Sequence, residues 1–392
     1  MKKQKKPLGL YIHIPFCLKK CAYCDFYSCT GADPDLVHHY ISSCMLQMED
    51  ISESCRGYEI DTVYIGGGTP TTLPIKEFER LLSAVERNFK LSRYAEITTE
   101  ANPATADKKY LKALHKLGVN RLSIGFQSAN ISELELLGRI HTVEDFANMY
   151  KDARAAGFDN ISVDLMYGIP AQSVQSFQST LEYVCNMNPE HLSLYCLKIE
   201  EGTPFYEMQN TLELPGEDAE YDMYMWAVDY LKKRGYDRYE ISNFAKPGLE
   251  SRHNLKYWNA DEYIGIGTAA HSYFGGERYS VIKNIYDFID GIEIPETNMR
   301  LIEGSKTLSF RERMSEYVML RMRLDAGVNA EDFAELFGTD FHAFCGKHLD
   351  EYVKDGFVIR QGGNYRFSSK GMFVSNYILS TVLDFAPGNS FA

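Results

Sequence analysis

The chain has 392 residues, 45% of them hydrophobic, and a formal net charge of −13. That length carries one large domain plus a smaller one, and that composition buries a core, so disorder is confined to the extreme ends. The acidic balance excludes non-specific nucleic-acid binding, which needs a basic surface to neutralise phosphates.

In chain order, the lysine-rich start Met1–Lys6 leads into an apolar run, Leu8 to Ile14. The run is short, is interrupted by His13, and has no small-residue cleavage site before Cys17, so export is rejected. No stretch is long and apolar enough to span a bilayer. The run ends at a loop holding Cys17, Cys21 and Cys24. Three thiols within eight residues can converge on one metal centre. The other six of nine cysteines are scattered, which fits a reducing, cytoplasmic compartment rather than a disulfide framework. A structural zinc site would want four ligands, usually as two separated pairs. An iron–sulfur cube held by three cysteines keeps one iron open for chemistry. Cys29 is the nearest further candidate ligand, and its role stays open.

A helix is expected from Pro34 to Ser54, then a strand over Thr62–Ile65 leading into Gly66-Gly67-Gly68-Thr69-Pro70. A helix follows over Ile75–Phe89, with Phe78, Leu81, Leu82 and Val85 at helical spacing. Strands are expected at Ala95–Thr99, ending at Glu100, and at Arg121–Phe126, ending at Gln127. A helix with Val143, Phe146, Ala147, Tyr150 and Ala153 on one face stops at Gly157. Strands then recur at Ile161–Met166 and His191–Tyr195. Strands alternating with helices predict parallel strands joined by crossovers, with a site at their C-terminal ends. From about Glu303 the pattern changes to three helices and a hairpin over Phe357–Phe367. The division is therefore drawn at 1–300 and 301–392. Asp350, Glu351 and Asp355 deny the second unit a basic stripe, so a packing or partner-binding role is expected of it.

The segment Tyr11-Ile12-His13-Ile14-Pro15-Phe16 followed by Cys-x3-Cys-x2-Cys resembles the radical S-adenosylmethionine (SAM) superfamily. Within it, the chain from Tyr11 to about Leu383 is similar to the branch holding oxygen-independent coproporphyrinogen III oxidase and the HemW-type heme chaperones. The resemblance implies an α/β fold, a partial (βα)6 barrel, with a small C-terminal α+β domain of winged-helix look. It implies a [4Fe–4S] cluster on Cys17, Cys21 and Cys24. It further implies SAM contacts at Tyr11, Tyr23, Gly67, Gly68, Thr69, Glu100, Gln127, Arg139 and Asp164. In the superfamily a low-potential electron donor reduces the cluster, and SAM is cleaved to a 5′-deoxyadenosyl radical. Without a ligand, Arg139 and Asp164 would simply form an ion pair. His13 is expected to support the cluster loop.

Two departures from the oxidase pattern bear on function. Phe26 stands where the oxidase has a fourth cysteine, and only sixteen residues precede Cys17. Both match the chaperone branch. In that branch the stretch His253-Asn254-Leu255-Lys256-Tyr257-Trp258 is implicated in holding heme. His253 is then the axial ligand, with Tyr257 and Trp258 stacking on the macrocycle. His271 is the rival ligand, and a purely structural role for the motif is the alternative. The expected function is a chaperone that carries heme to respiratory acceptor proteins. The rival is the oxidase itself, which decarboxylates coproporphyrinogen III. A third reading is a radical enzyme acting on heme. SAM turnover, homodimerisation and peripheral membrane contact stay open.

Overall fold

The computed structural model describes residues 5–292 and 301–383. The lysine-rich start up to Gln4, the 300 side of the 300/301 division and the end of the chain lie outside the described residues.

Six strands form the core of a twelve-stranded sheet: β1 (Lys6–Ile14), β2 (Tyr58–Gly67), β3 (Leu91–Ala101), β4 (Arg121–Gln127), β5 (Ile161–Tyr167) and β6 (His191–Cys196). They pair in that order and all in parallel. Every residue of β4 is buried, as expected of a strand covered on both faces. The crossover helices carry their own boundary signals. Asp33 caps Pro34–Ser52 by accepting from the Leu36 amide at 2.8 Å. Thr142 and Asp145 form a capping box on Val143–Ala156, and Gly157 ends that helix at φ +107°.

The sheet runs further than six units. Tyr263–Ile266 adds in parallel to β1, and the hairpin strands His271–Phe274, Glu277–Val281 and Ile302–Thr307 continue it. Asn243–Ala245 and Asp237–Arg238 extend the other edge beside β6. The two ends do not pair with each other, so the barrel is open on one side. Ile302–Thr307, which the sequence division places in the C-terminal unit, is hydrogen-bonded into this large sheet.

The C-terminal unit has helices Phe310–Arg321, Ala330–Phe337 and Lys347–Lys354. They surround a three-stranded antiparallel sheet of Val328–Asn329, Asn364–Phe367 and Val358–Gln361. Its aromatic core includes Phe333, Phe341 and Tyr365. No helix among the described residues is long and apolar enough to cross a membrane.

Candidate cluster and SAM site

The cysteine loop leaves the C-terminal end of β1 and is pinned along its length. Phe16–Cys17 pairs in parallel with Cys29–Thr30, and the Cys29 amide donates to the Pro15 carbonyl at 2.7 Å. In mid-loop, the Ala22 amide donates to the Leu137 carbonyl at 3.0 Å. His13 holds the loop from below. Its Nε2 donates to the Tyr27 carbonyl, which fixes the tautomer, so Nδ1 accepts from the Tyr11 hydroxyl; both contacts are 2.9 Å. Burial lowers the His13 pKa to about 4, which keeps the ring neutral in this role.

Cys17, Cys21 and Cys24 are free, half-buried thiols lining one cavity of about 320 Å³. Burial pushes the Cys24 thiol up to about 11. Cys29 lines a separate depression with Tyr27, Lys283 and Tyr286.

The strand ends bring most of the expected SAM positions to the same cavity. Tyr23, Gly67, Gly68, Thr69, Glu100, Gln127, Arg139 and Asp164 all line it. Gly67 lies at φ +110°, and a Cβ there would sit 2.4 Å from the His13 ring. A Cβ on Gly68 would meet the Phe16 carbonyl at 2.8 Å. Side chains are thus barred where backbone faces the thiols. Gln127 is a non-glycine residue at φ +70°, a strained conformation of the kind that gathers at functional sites. Glu100 accepts from the Tyr64 hydroxyl at 2.9 Å and from the Gly67 amide at 3.0 Å. Burial, then the neighbouring Asp164 charge, raises its pKa to about 7. Burial also raises Asp164, which accepts from Ser123 at 3.1 Å on each oxygen.

Arg139 does not pair with Asp164. It donates to the Asn102 side-chain oxygen at 2.8 Å and to Cys21 Sγ at 3.6 Å, and its buried Nε has no partner. Asn102 in turn donates to Thr69 Oγ1 at 2.8 Å, and Thr69 donates to Cys17 Sγ at 3.6 Å. One chain of polar groups therefore joins two of the three thiols: Cys21, Arg139, Asn102, Thr69, Cys17. Asn102 is its middle link and was missed at the sequence level. Its signal was present, two residues beyond Glu100 at the end of β3. Donors aimed at cluster-ligating sulfurs are one way proteins tune such centres.

This donor set fits the two groups that the motif implies. The thiols face a side-chain-free backbone stretch, a fixed guanidinium and a carboxylate, which together suit a zwitterion joined to a ribose. Bound there, the cluster and SAM would supply one-electron chemistry. The residues position the sulfurs and shield them.

Three expected residues stand elsewhere. Tyr11 does not line the cavity. Its hydroxyl is held by His13, and its ring packs on Tyr64, with centroids 6.2 Å apart. His253 is fully buried, with Nδ1 bonded to the Thr62 hydroxyl and Nε2 to the Tyr257 hydroxyl, both at 2.8 Å. Burial lowers its pKa to about 3. In this conformation the imidazole offers no free lone pair to an iron, and Tyr257 is taken up in holding it. His271 is exposed at the start of its strand.

A family model described as the Radical SAM superfamily matches residues 11–184, and one described as the HemN C-terminal domain matches residues 308–374. The chain is 34% identical to "Heme chaperone HemW" of Lactococcus lactis over 97% of its own length and 98% of the relative's. It is 33% identical to the protein of the same name from Bacillus subtilis, over 95% and 98%. A zebrafish (Danio rerio) protein, "Radical S-adenosyl methionine domain-containing protein 1, mitochondrial", is 32% identical over 96% and 86%. Among solved structures, coproporphyrinogen III oxidase (HemN) from Escherichia coli superposes with a TM-score of 0.84 at 23% identity, covering 97% of this chain and 90% of that one. That likeness shows the fold. Radical SAM membership carries with it a [4Fe–4S] cluster and SAM. The motif loop, the parallel partial barrel and near-full-length identity converge: the chain belongs to the HemW family within the radical SAM superfamily.

Proposed function

We propose that this protein binds heme and delivers it to acceptor hemoproteins, respiratory ones among them. In this reading Cys17, Cys21 and Cys24 hold the cluster, and the cavity-lining residues from Gly67 to Asp164, with Tyr23, hold SAM. A low-potential donor serves the cluster. The observation that carries the reading is the identity of about a third, across nearly the whole chain, with proteins named heme chaperones. Phe26 supports it: the side chain at the position of the oxidase's fourth cysteine is a 60% exposed phenyl ring at the cavity wall, which offers no thiol.

The second reading, the oxygen-independent oxidase, draws on the cavity-lining positions Glu100, Gln127, Arg139 and Asp164, which resemble its SAM contacts residue for residue, with Tyr23 replacing another aromatic. An anaerobic assay decides between them. Reconstituted protein is given SAM, a low-potential reductant and coproporphyrinogen III, beside an active oxidase. The chaperone reading expects no protoporphyrinogen while the control turns over. Product above background, with matching 5′-deoxyadenosine, would make the chain an oxidase.

A further inference from the structure

A second and larger cavity, of about 810 Å³, opens at the other end of the barrel, between it and the C-terminal unit. Its position is fixed by Tyr236 and Tyr239 on its wall. Their hydroxyls bond to the Pro189 carbonyl and to His191, at the N-terminal end of β6. The cluster cavity lies at the C-terminal strand ends, so the two are separated by the length of the barrel.

The groove has two unlike kinds of surface. Part of its lining is apolar, with Val228 and Leu255 from barrel-side helices and Leu324 and Ile359 from the C-terminal unit, beside Asn259, Ser368 and Ser369. Its charged lining is four cations, Lys232, Arg238, Arg321 and Arg366, against two carboxylates, Asp237 and Asp325. Four less two leaves a local charge of +2 on a chain whose net charge is −13. Arg238 is 7% exposed and its buried Nε has no partner. Asp325 accepts from both Arg238 and Arg366, at 3.1 and 3.3 Å, so it neutralises only part of that charge.

We infer that this groove is the heme site, and that its cations receive the two propionates. The inference rests on the functional reading above and assigns it a place. Heme is a planar, largely apolar macrocycle carrying two carboxylates, which matches aliphatic side chains from both units beside a +2 charged lining. The groove's volume lies in the upper part of the roughly 300–1,000 Å³ typical of small-molecule sites. The cluster cavity, at about 320 Å³, lies at the bottom of that range and is lined by groups suited to SAM. One wall of the groove belongs to the helix Arg252–Trp258 of the heme-implicated motif. That helix turns Leu255 and Asn259 to the groove while His253 faces the barrel. The motif thereby serves heme as a wall, with its histidine buried as a structural post.

The test is an anaerobic heme titration of full-length, cluster-reconstituted protein, read by absorbance. Two variants are compared with wild type: the double variant Lys232→Ala/Arg366→Ala, and Ala326→Trp, which fills the groove from an exposed turn. The expected results are a loss of affinity of about tenfold in the double variant and abolished binding in Ala326→Trp. Iron content and SAM binding remain at wild-type levels in both. Wild-type heme affinity in both variants would overturn the groove while leaving the chaperone reading intact. A wild-type protein that binds no heme would overturn that reading itself.

Discussion

His253 and Tyr64 lie face to face in the barrel wall, with ring centroids 5.3 Å apart and planes 28° from parallel. Tyr64 also donates to Glu100, so a single tyrosine connects the motif helix to the cluster cavity. The contact makes His253 a load the barrel depends on. Its ring carries two hydrogen bonds, and its backbone amide donates to Glu96 at 3.0 Å. His253→Ala deletes a buried ring and leaves two hydroxyls unpaired, which costs about 2–4 kcal/mol. Chemical denaturation checks this. The folded variant should keep the wild-type heme spectrum. A changed spectrum with unchanged stability would restore His253 as the iron ligand.

Glu100 sets a pH dependence with a definite sign. Its pKa rises from 4.5 to about 7 on folding, so the folded state holds the proton more tightly. Its contribution to stability is complete below pH 4.5 and is lost as pH rises through 7. The shift corresponds to at most about 3 kcal/mol. The buried histidines His13, His141 and His253 have lowered pKa values and slope the other way, losing stability as pH falls below 6.5. The difference between Glu100→Gln and wild type isolates the carboxylate. The variant should gain stability relative to wild type between pH 4.5 and 7 and hold the gain above it, in the cofactor-free protein. A flat difference curve would contradict the assignment.

Asn102 lines the cluster cavity and should matter to it through Arg139 and Thr69. Asn102→Ala frees Arg139 and Thr69 from their shared partner. SAM affinity should fall by about tenfold, measured by calorimetry on the reconstituted protein. Asn102→Asp keeps an acceptor for Arg139 but loses the donor to Thr69, and should recover only part of the loss. Equal affinities in all three forms would mean that the chain of polar groups is incidental.

Cysteine substitution separates the loop thiols from their neighbour. Cys17→Ser, Cys21→Ser and Cys24→Ser should each lose most of the reconstituted iron. Cys29→Ala should retain it, because its thiol lines the separate depression with Lys283 and Tyr286. Iron and sulfide per chain are the readout. Loss of iron in Cys29→Ala would enlarge the ligand set to four.

Much of this was legible in the chain because the signals are local. The three cysteines, the glycine run, Gly157, Glu100 and Gln127 near the ends of their strands and Asp164 inside its strand are all marked by nearby residues. What escaped depends on long-range pairing. Segments such as Asp237–Arg238 and Asn243–Ala245 are too short to show a period of two, and they become strands only because an edge beside β6 awaits them. Arg121 read as the start of an apolar strand, yet it is a fully buried cation among Asp164, His191 and Tyr239. The His253 motif had a chemical signature for heme, and only its hydrogen bonds to Thr62 and Tyr257 reveal that the ring is already occupied.

A heme carrier of the kind proposed holds its tetrapyrrole intact. The most direct test is to incubate the reconstituted protein anaerobically with heme, SAM and reductant, then isolate it and weigh the bound tetrapyrrole by mass spectrometry. The expected result is about one heme per chain, unaltered in mass and transferable to an apo-cytochrome. An empty protein, or a tetrapyrrole of changed mass, would contradict it.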